Sequence, residues 1–310
     1  MPLDPEAKAL LAAIAAAGEP SIDTIPLDAA RAQVENGYAG MKIPVLPVGL
    51  IKNTSFTGSG GEIAVRIYIP EGEGLFPVII FFHGGGWVFF HLDAYDPVCT
   101  HICAAAGCIV VSVEYRLSPE YKFPAATNDC LEASRWIAEH CIEWKGDASL
   151  IFLAGDSAGG NLAAVTAIRI RDESGPAIKG QVLIYPATVY YAPEKPSYTE
   201  FSDGYNLTKD ALKWFWEKYL VSNEDARNPK ASPLLAPDLS GLPPALVIVS
   251  GYDPLKDEGI DYAKRLAEAG VSVQMSLYEE MIHGFLSYLG ILHQAKTAID
   301  EISRWIKQRV

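Results

Sequence analysis

Residues 150–170 read LIFLAGDSAGGNLAAVTAIRI, and the fold turns on how this stretch divides. LIFLA is a short run, apolar on both faces, as expected of a strand covered by helices on each side. GGNLAAVTAIRI has the composition and spacing of a helix. Between them, Gly155-Asp156-Ser157-Ala158-Gly159 matches G-x-S-x-G. At average glycine and serine usage, chance supplies such a match about 0.1 times in a chain of this length, so its setting matters more than the match. Strand, tight turn and helix are the setting of a nucleophile elbow, in which Gly155 and Gly159 leave room for neighbouring backbone and Ser157 is held strained with its oxygen exposed. The helix N-terminus offers free amides and positive potential where negative charge would develop. A phosphate-binding turn is the competing reading, but the sequence contains neither G-x-G-x-x-G nor a Walker lysine.

The alternation extends outward from this point. Apolar runs at Ile63–Ile69, Pro77–Phe82, Ile109–Glu114, Leu150–Ala154, Gln181–Tyr185, Ala245–Ser250 and Val271–Tyr278 predict strands. Helix-like stretches at Asn128–Glu143, Gly160–Asp172, Glu258–Ala269 and His293–Arg309 separate them. The pattern predicts an α/β fold with a mostly parallel central sheet flanked by helices. Two regions break it. Residues 1–50 form an N-terminal helical arm, with Asp4 capping a helix and Pro5 in its first turn. Residues 188–228 carry an aromatic helix, ALKWFWEKYL, as an insertion. The expected division is therefore core at 51–187 and 229–310, with arm and insertion forming a cap over the carboxyl edge of the sheet, where ligands bind in such folds.

His83-Gly84-Gly85-Gly86-Trp87 follows directly on the strand PVIIFF. Three glycines in a row cost conformational entropy, so bare backbone must be required there. Acyl transfer requires it, because amides must approach an oxyanion to about 2.7–3.1 Å. The loop glycines and the amide of Ala158 are the expected donors. His83, inside the glycine loop, is expected to hydrogen-bond and pin it rather than act as a base.

In this fold the partners of the serine follow it as acid, then histidine, on loops after later strands. Only His283 and His293 follow Ser157. His283 lies just past the strand VSVQMSLYEE, whereas His293 opens the last helix, so His283 is the expected base. Asp253 lies just beyond the strand ALVIVS and is the expected orienting acid, while Asp257 is expected to cap the next helix.

These motifs together, HGGGW, YRLSPE (115–120), FPAA (123–126), GDSAGG, YDPLKDEG (252–259) and IHGF (282–285), resemble the hormone-sensitive lipase family of α/β-hydrolase esterases. The resemblance implies hydrolysis of short- to medium-chain carboxylic esters through an acyl-enzyme, without a metal or organic cofactor. It also implies a cap built from the N-terminal helices and an insertion before the acid. Ser157, Asp253 and His283 would be the triad; Gly85, Gly86 and Ala158, with Gly84 as a lesser contributor, the oxyanion hole. Arg116 and Asp129 are read as structural. An amidase or deacetylase could use the same triad. A non-catalytic ligand-binding member is disfavoured because the binding proteins that resemble this family lack the histidine.

The formal net charge of −13 argues against nucleic acid, since phosphate backbones are held by clustered Lys and Arg. Five cysteines without a C-x-x-C pair predict free, buried thiols. The apolar run Ala9–Gly18 is too short to span a bilayer and follows acidic rather than basic residues, so a cytoplasmic enzyme acting on a small ester is expected, with a homodimer left open. Trp87, Trp214 and Trp216 are candidates for lining an apolar pocket or for ordinary core.

Overall fold

The structure is a computed structural model that describes residues 1–192 and 194–310. The chain opens with two helices, α1 (Pro5–Ala17) and α2 (Leu27–Gly40), before the first strand. Asp4 starts α1: its carboxylate accepts the amides of Glu6 at 2.8 Å and Ala7 at 3.2 Å, satisfying two of the unpaired donors of a helix start.

One eight-stranded sheet follows, in the order β1-β2-β4-β3-β5-β6-β7-β8. β1 (Leu50–Gly58) and β2 (Gly61–Ile69) form a hairpin, and β2 runs antiparallel to β4 (Ile109–Val113). β3 (Phe76–Phe82), β5 (Gly146–Asp156), β6 (Gly180–Ile184), β7 (Ala245–Tyr252) and β8 (Val273–Ile282) complete the parallel part with β4. Helices α3 (Leu92–Ala106), α4 (Ala125–His140), α5 (Ala158–Asp172), α8 (Lys256–Glu268) and α9 (His293–Lys307) cover the sheet. The insertion between β6 and β7 contributes α6 (Pro196–Glu200) and α7 (Lys209–Tyr219).

Period-two alternation along β3 explains the doubly apolar strands. Val78, Ile80 and Phe82 join the core beneath α4, α5 and α8, while Ile79 and Phe81 join a second core beneath α3 and α9. Arg116 donates to the buried Asp129 carboxylate at 2.7 Å, a structural pair at the start of α4. All five cysteines are free and buried.

Three local expectations differ from the structure. β1 reads LIKNTSFTG, half polar and largely exposed as the sheet's edge, so it lacks the apolar signature by which the other strands are found. Helix α3 contains Pro97 and buries most of its surface, which erases both the continuity and the amphipathic period used to recognise helices. Asp257 lies inside the first turn of α8, not at its cap, and accepts the Ser197 amide of the insertion at 2.9 Å.

The order of strands positions the site. From β3 the chain steps to β4 on one side, then returns past β3 to β5 and proceeds the other way. The loops after β3 and β5 therefore diverge at a topological switch point, where open α/β sheets bind ligands. Close approach there is enforced by glycine. A Cβ on Gly159 would collide with the Phe82 carbonyl oxygen, and one on Gly155 with the backbone of Gly159. Since backbone rather than a flexible side chain is in the way, Gly159→Ala is expected to cost about 2 kcal/mol or more of unfolding free energy. A urea midpoint unchanged from that of the unsubstituted protein would contradict this packing account.

Candidate active site

β5 ends in the elbow. Ser157 has φ 55° and ψ −118°, a conformation that L-residues adopt only when their surroundings compel it. The compulsion is visible: the Ser157 amide donates to Ile184 O at 2.8 Å, and its carbonyl accepts from Asn161 N at 3.0 Å and Ala187 N at 3.2 Å.

The strands β7 and β8 bring in the other two residues. His283 Nε2 lies 2.9 Å from Ser157 Oγ, and His283 Nδ1 lies 2.7 Å from Asp253 Oδ2. Asp253 is fully buried, and its second oxygen accepts the Leu255 amide at 2.8 Å. With the carboxylate accepting from Nδ1–H, the lone pair of Nε2 faces the serine hydroxyl. The rings of Tyr185 and His283 pack at a steep angle, with centroids 4.9 Å apart. Thus three side chains distant in sequence meet at one rim of the sheet, in the order expected.

The glycine loop after β3 runs beside them. Gly85 and Gly86 have φ 96° and 61°, conformations that favour glycine. A Cβ on Gly86 would also strike the ring of Phe215 on α7. The Ala158 amide opens α5 and has no acceptor within the helix. Gly84 is different. Its amide donates to Tyr95 Oη at 2.9 Å and Asp156 Oδ1 at 3.0 Å, so it is engaged in anchoring the loop and is not a free oxyanion donor. His83 Nδ1 donates to Gly84 O at 2.8 Å and its ring stacks on Tyr115 at 4.3 Å. Burial pushes the His83 imidazole down to about 4, so it stays neutral and structural near neutral pH.

A cavity of about 480 Å³ opens over Ser157 and His283. Ile22, Val34 and Tyr38 of the arm form one wall, and Leu207, Leu212 and Phe215 of the insertion another. Trp87 lines it; Trp216 is fully buried against Trp87 at 4.7 Å, and Trp214 stacks outside on Phe89.

Several supporting residues escape a reading of the sequence. Asp156 occupies a variable position of its motif, and Tyr95 lies in the helix obscured by Pro97. Glu258 is buried on α8 and accepts from the amides of Thr188 and Val189 and the Tyr198 hydroxyl, tying α8 to the insertion. Burial pushes its carboxyl up to about 8. Charge periodicity gives no sign of such contacts.

A family profile describing the α/β hydrolase fold matches residues 79–287. The chain belongs to this family. Within it, the chain is of the hormone-sensitive-lipase-like kind. Esterase LipI of Mycobacterium tuberculosis is 41% identical over 262 residues, covering 83% of this chain and 81% of that protein. Ethyl acetate hydrolase of Pseudomonas putida is 32% identical over the whole of both chains. The solved structure of a hyperthermophilic esterase from Pyrobaculum calidifontis superposes on this α/β hydrolase with a TM-score of 0.96, at 40% identity and 99% coverage of each chain.

Asp156 generates a pH prediction. Burial raises its carboxyl to about 6, above its ordinary 3.8. Between these values the folded protein holds a proton that the unfolded chain has released. Stability from this group is therefore complete below about pH 4 and lost as pH rises through about 6. In Asp156→Asn that loss is absent, so the variant's unfolding free energy should gain on the parent's by on the order of 3 kcal/mol between pH 4 and 7. Parallel curves in denaturant titrations across this range would contradict it.

Proposed function

We propose that this protein is a serine carboxylesterase acting on short- to medium-chain carboxylic esters, with Ser157 as nucleophile, His283 as general base and Asp253 orienting the histidine. The carrying observation is the pair of contacts at His283, 2.9 Å to Ser157 Oγ and 2.7 Å to Asp253. Both lie within the reach needed to move a proton from hydroxyl to imidazole. The names of the relatives, esterases and an ethyl acetate hydrolase, support ester chemistry.

Ser157 Oγ attacks the ester carbonyl carbon as its proton passes to His283 Nε2. The carbonyl oxygen becomes an oxyanion received by the amides of Gly85, Gly86 and Ala158. Collapse expels the alkoxide, which leaves as alcohol with the proton from Nε2. Water then attacks the acyl-serine by the same route, releasing the acid and restoring the hydroxyl. Asp253 fixes the tautomer and stabilises the imidazolium. The N-terminal arm and the insertion act as a cap, because their apolar side chains wall the cavity above the serine. A wall of this character suits an acyl chain or alcohol without charge.

Ser157→Ala is expected to lower kcat on 4-nitrophenyl butyrate by at least about 10⁴-fold and to abolish covalent labelling by an organophosphonate. Undiminished labelling would refute the assignment. A series of nitrophenyl esters from acetyl to palmitoyl, run beside aryl amides, should show turnover concentrated on the shorter esters. Equal or faster turnover of the amides would favour the amidase reading.

A further inference from the structure

Both segments that interrupt the βα alternation reach the loop carrying His283. The Tyr38 hydroxyl, on α2, donates to Ser287 O at 3.2 Å. Asn206, in the insertion just before α7, donates through Nδ2 to the carbonyl oxygen of His283 itself at 3.0 Å. The Tyr288 hydroxyl donates to Asn206 Oδ1 at 3.3 Å, which fixes the way the amide faces. The backbones are fitted to this contact. Asn206 has φ 74° and Gly284, next to the histidine, has φ 77°. A Cβ on Gly284 would come within 3.3 Å of Asn206 Nδ2. Asparagine enters the left-handed region more readily than most residues, and its side chain supplies the donor.

The carbonyl that Asn206 holds belongs to the peptide between His283 and Gly284, and glycine leaves that peptide free to rotate. Rotation there would swing the imidazole relative to Ser157. The side-chain contacts at Nδ1 and Nε2 define where the ring must point, but neither restrains the backbone from which it projects. Small displacements of a base cost large factors in rate.

We propose that Asn206 is a positioning residue for His283: through the His283 carbonyl, the insertion holds the base in register with the nucleophile. The inference rests on His283 being the general base. It makes the insertion part of the catalytic geometry as well as a wall of the cavity. Asn206 also lines the cavity beside His283, so a positioning role is distinguished from substrate contact by an effect on the rate of proton removal from Ser157 without one on binding of the ester.

The test uses the full chain and the kinetics of organophosphonate inactivation, which separate binding (KI) from reaction at the serine (kinact). Asn206→Gly removes the amide while keeping a residue at ease at positive φ, so the fold is preserved. Asn206→Asp keeps an acceptor for Tyr288 but sets a carboxylate against the His283 carbonyl. Both should lower kinact, and kcat/KM for 4-nitrophenyl butyrate, about tenfold, with KI within about twofold of the parent. The downfield proton resonance of the His283 Nδ1–H···Asp253 bond should broaden or shift in both. A kinact equal to the parent's in either variant would overturn the inference, as would a rise in KI alone, the mark of a residue that touches substrate. His283→Ala separates the two readings. If it is inert while the Asn206 variants match the parent, only the positioning role fails; if it keeps the parent's kinact, the assignment of the base fails.

Discussion

The site depends on bare backbone approaching bare backbone where the first turn of α5 meets the end of β3. Gly159 has no room for a side chain beside the Phe82 carbonyl, and Gly155 has none beside Gly159. That proximity places the elbow amide of Ala158 beside the glycine loop after β3, so that donors from two separate elements can face one oxygen. It also holds Ser157 at φ 55°, a conformation costing on the order of 1–3 kcal/mol that the surrounding amides and carbonyls must offset. A single additional methyl group at residue 159 would push apart the two halves of the proposed oxyanion hole.

Around this point polar groups are arranged in layers. His283 contacts the serine hydroxyl and Asp253 contacts His283, while Asp156, Tyr95 and His83 hold the glycine loop without contacting Ser157 Oγ. The two acids have different surroundings. Burial raises the Asp156 carboxyl to about 6, against the opposing effect of its hydrogen bonds from Tyr95 and Gly84. Asp253 accepts from the imidazole and from the Leu255 amide. Residues of the arm and the insertion line the cavity, and both segments are hydrogen-bonded to the stretch after β8, through Tyr38 and Asn206.

Much of this was legible in the sequence for physical reasons. Buried parallel strands must be apolar on both faces, so LIFLA, VIIFF and ALVIV announce themselves, and the strand–turn–helix setting singles out Ser157. The fixed order of acid and histidine after later strands leads to Asp253 and His283, which the fold brings within hydrogen-bonding distance. The remaining features lack a local signature. β1 is polar because it is an exposed edge, and α3 is interrupted by Pro97 and buried nearly all round. The sequence ranks Gly84 below its neighbours as a donor but does not show why: its amide is engaged by Tyr95 and Asp156, one of them far away in the chain. Asn206 lies 77 residues from the carbonyl it holds, and an asparagine in a turn gives no hint of a distant partner.

If Ser157 is the nucleophile, the carbonyl carbon of the substrate becomes covalently bound to it in each turnover. Mass spectrometry of peptides from protein quenched in acid during turnover of 4-nitrophenyl acetate tests it directly. An acetyl group is expected on the peptide containing Ser157, appearing within the first turnover and lost once substrate is exhausted. Acetylation confined to any other residue, or turnover continuing with no acyl adduct on that peptide, would contradict it.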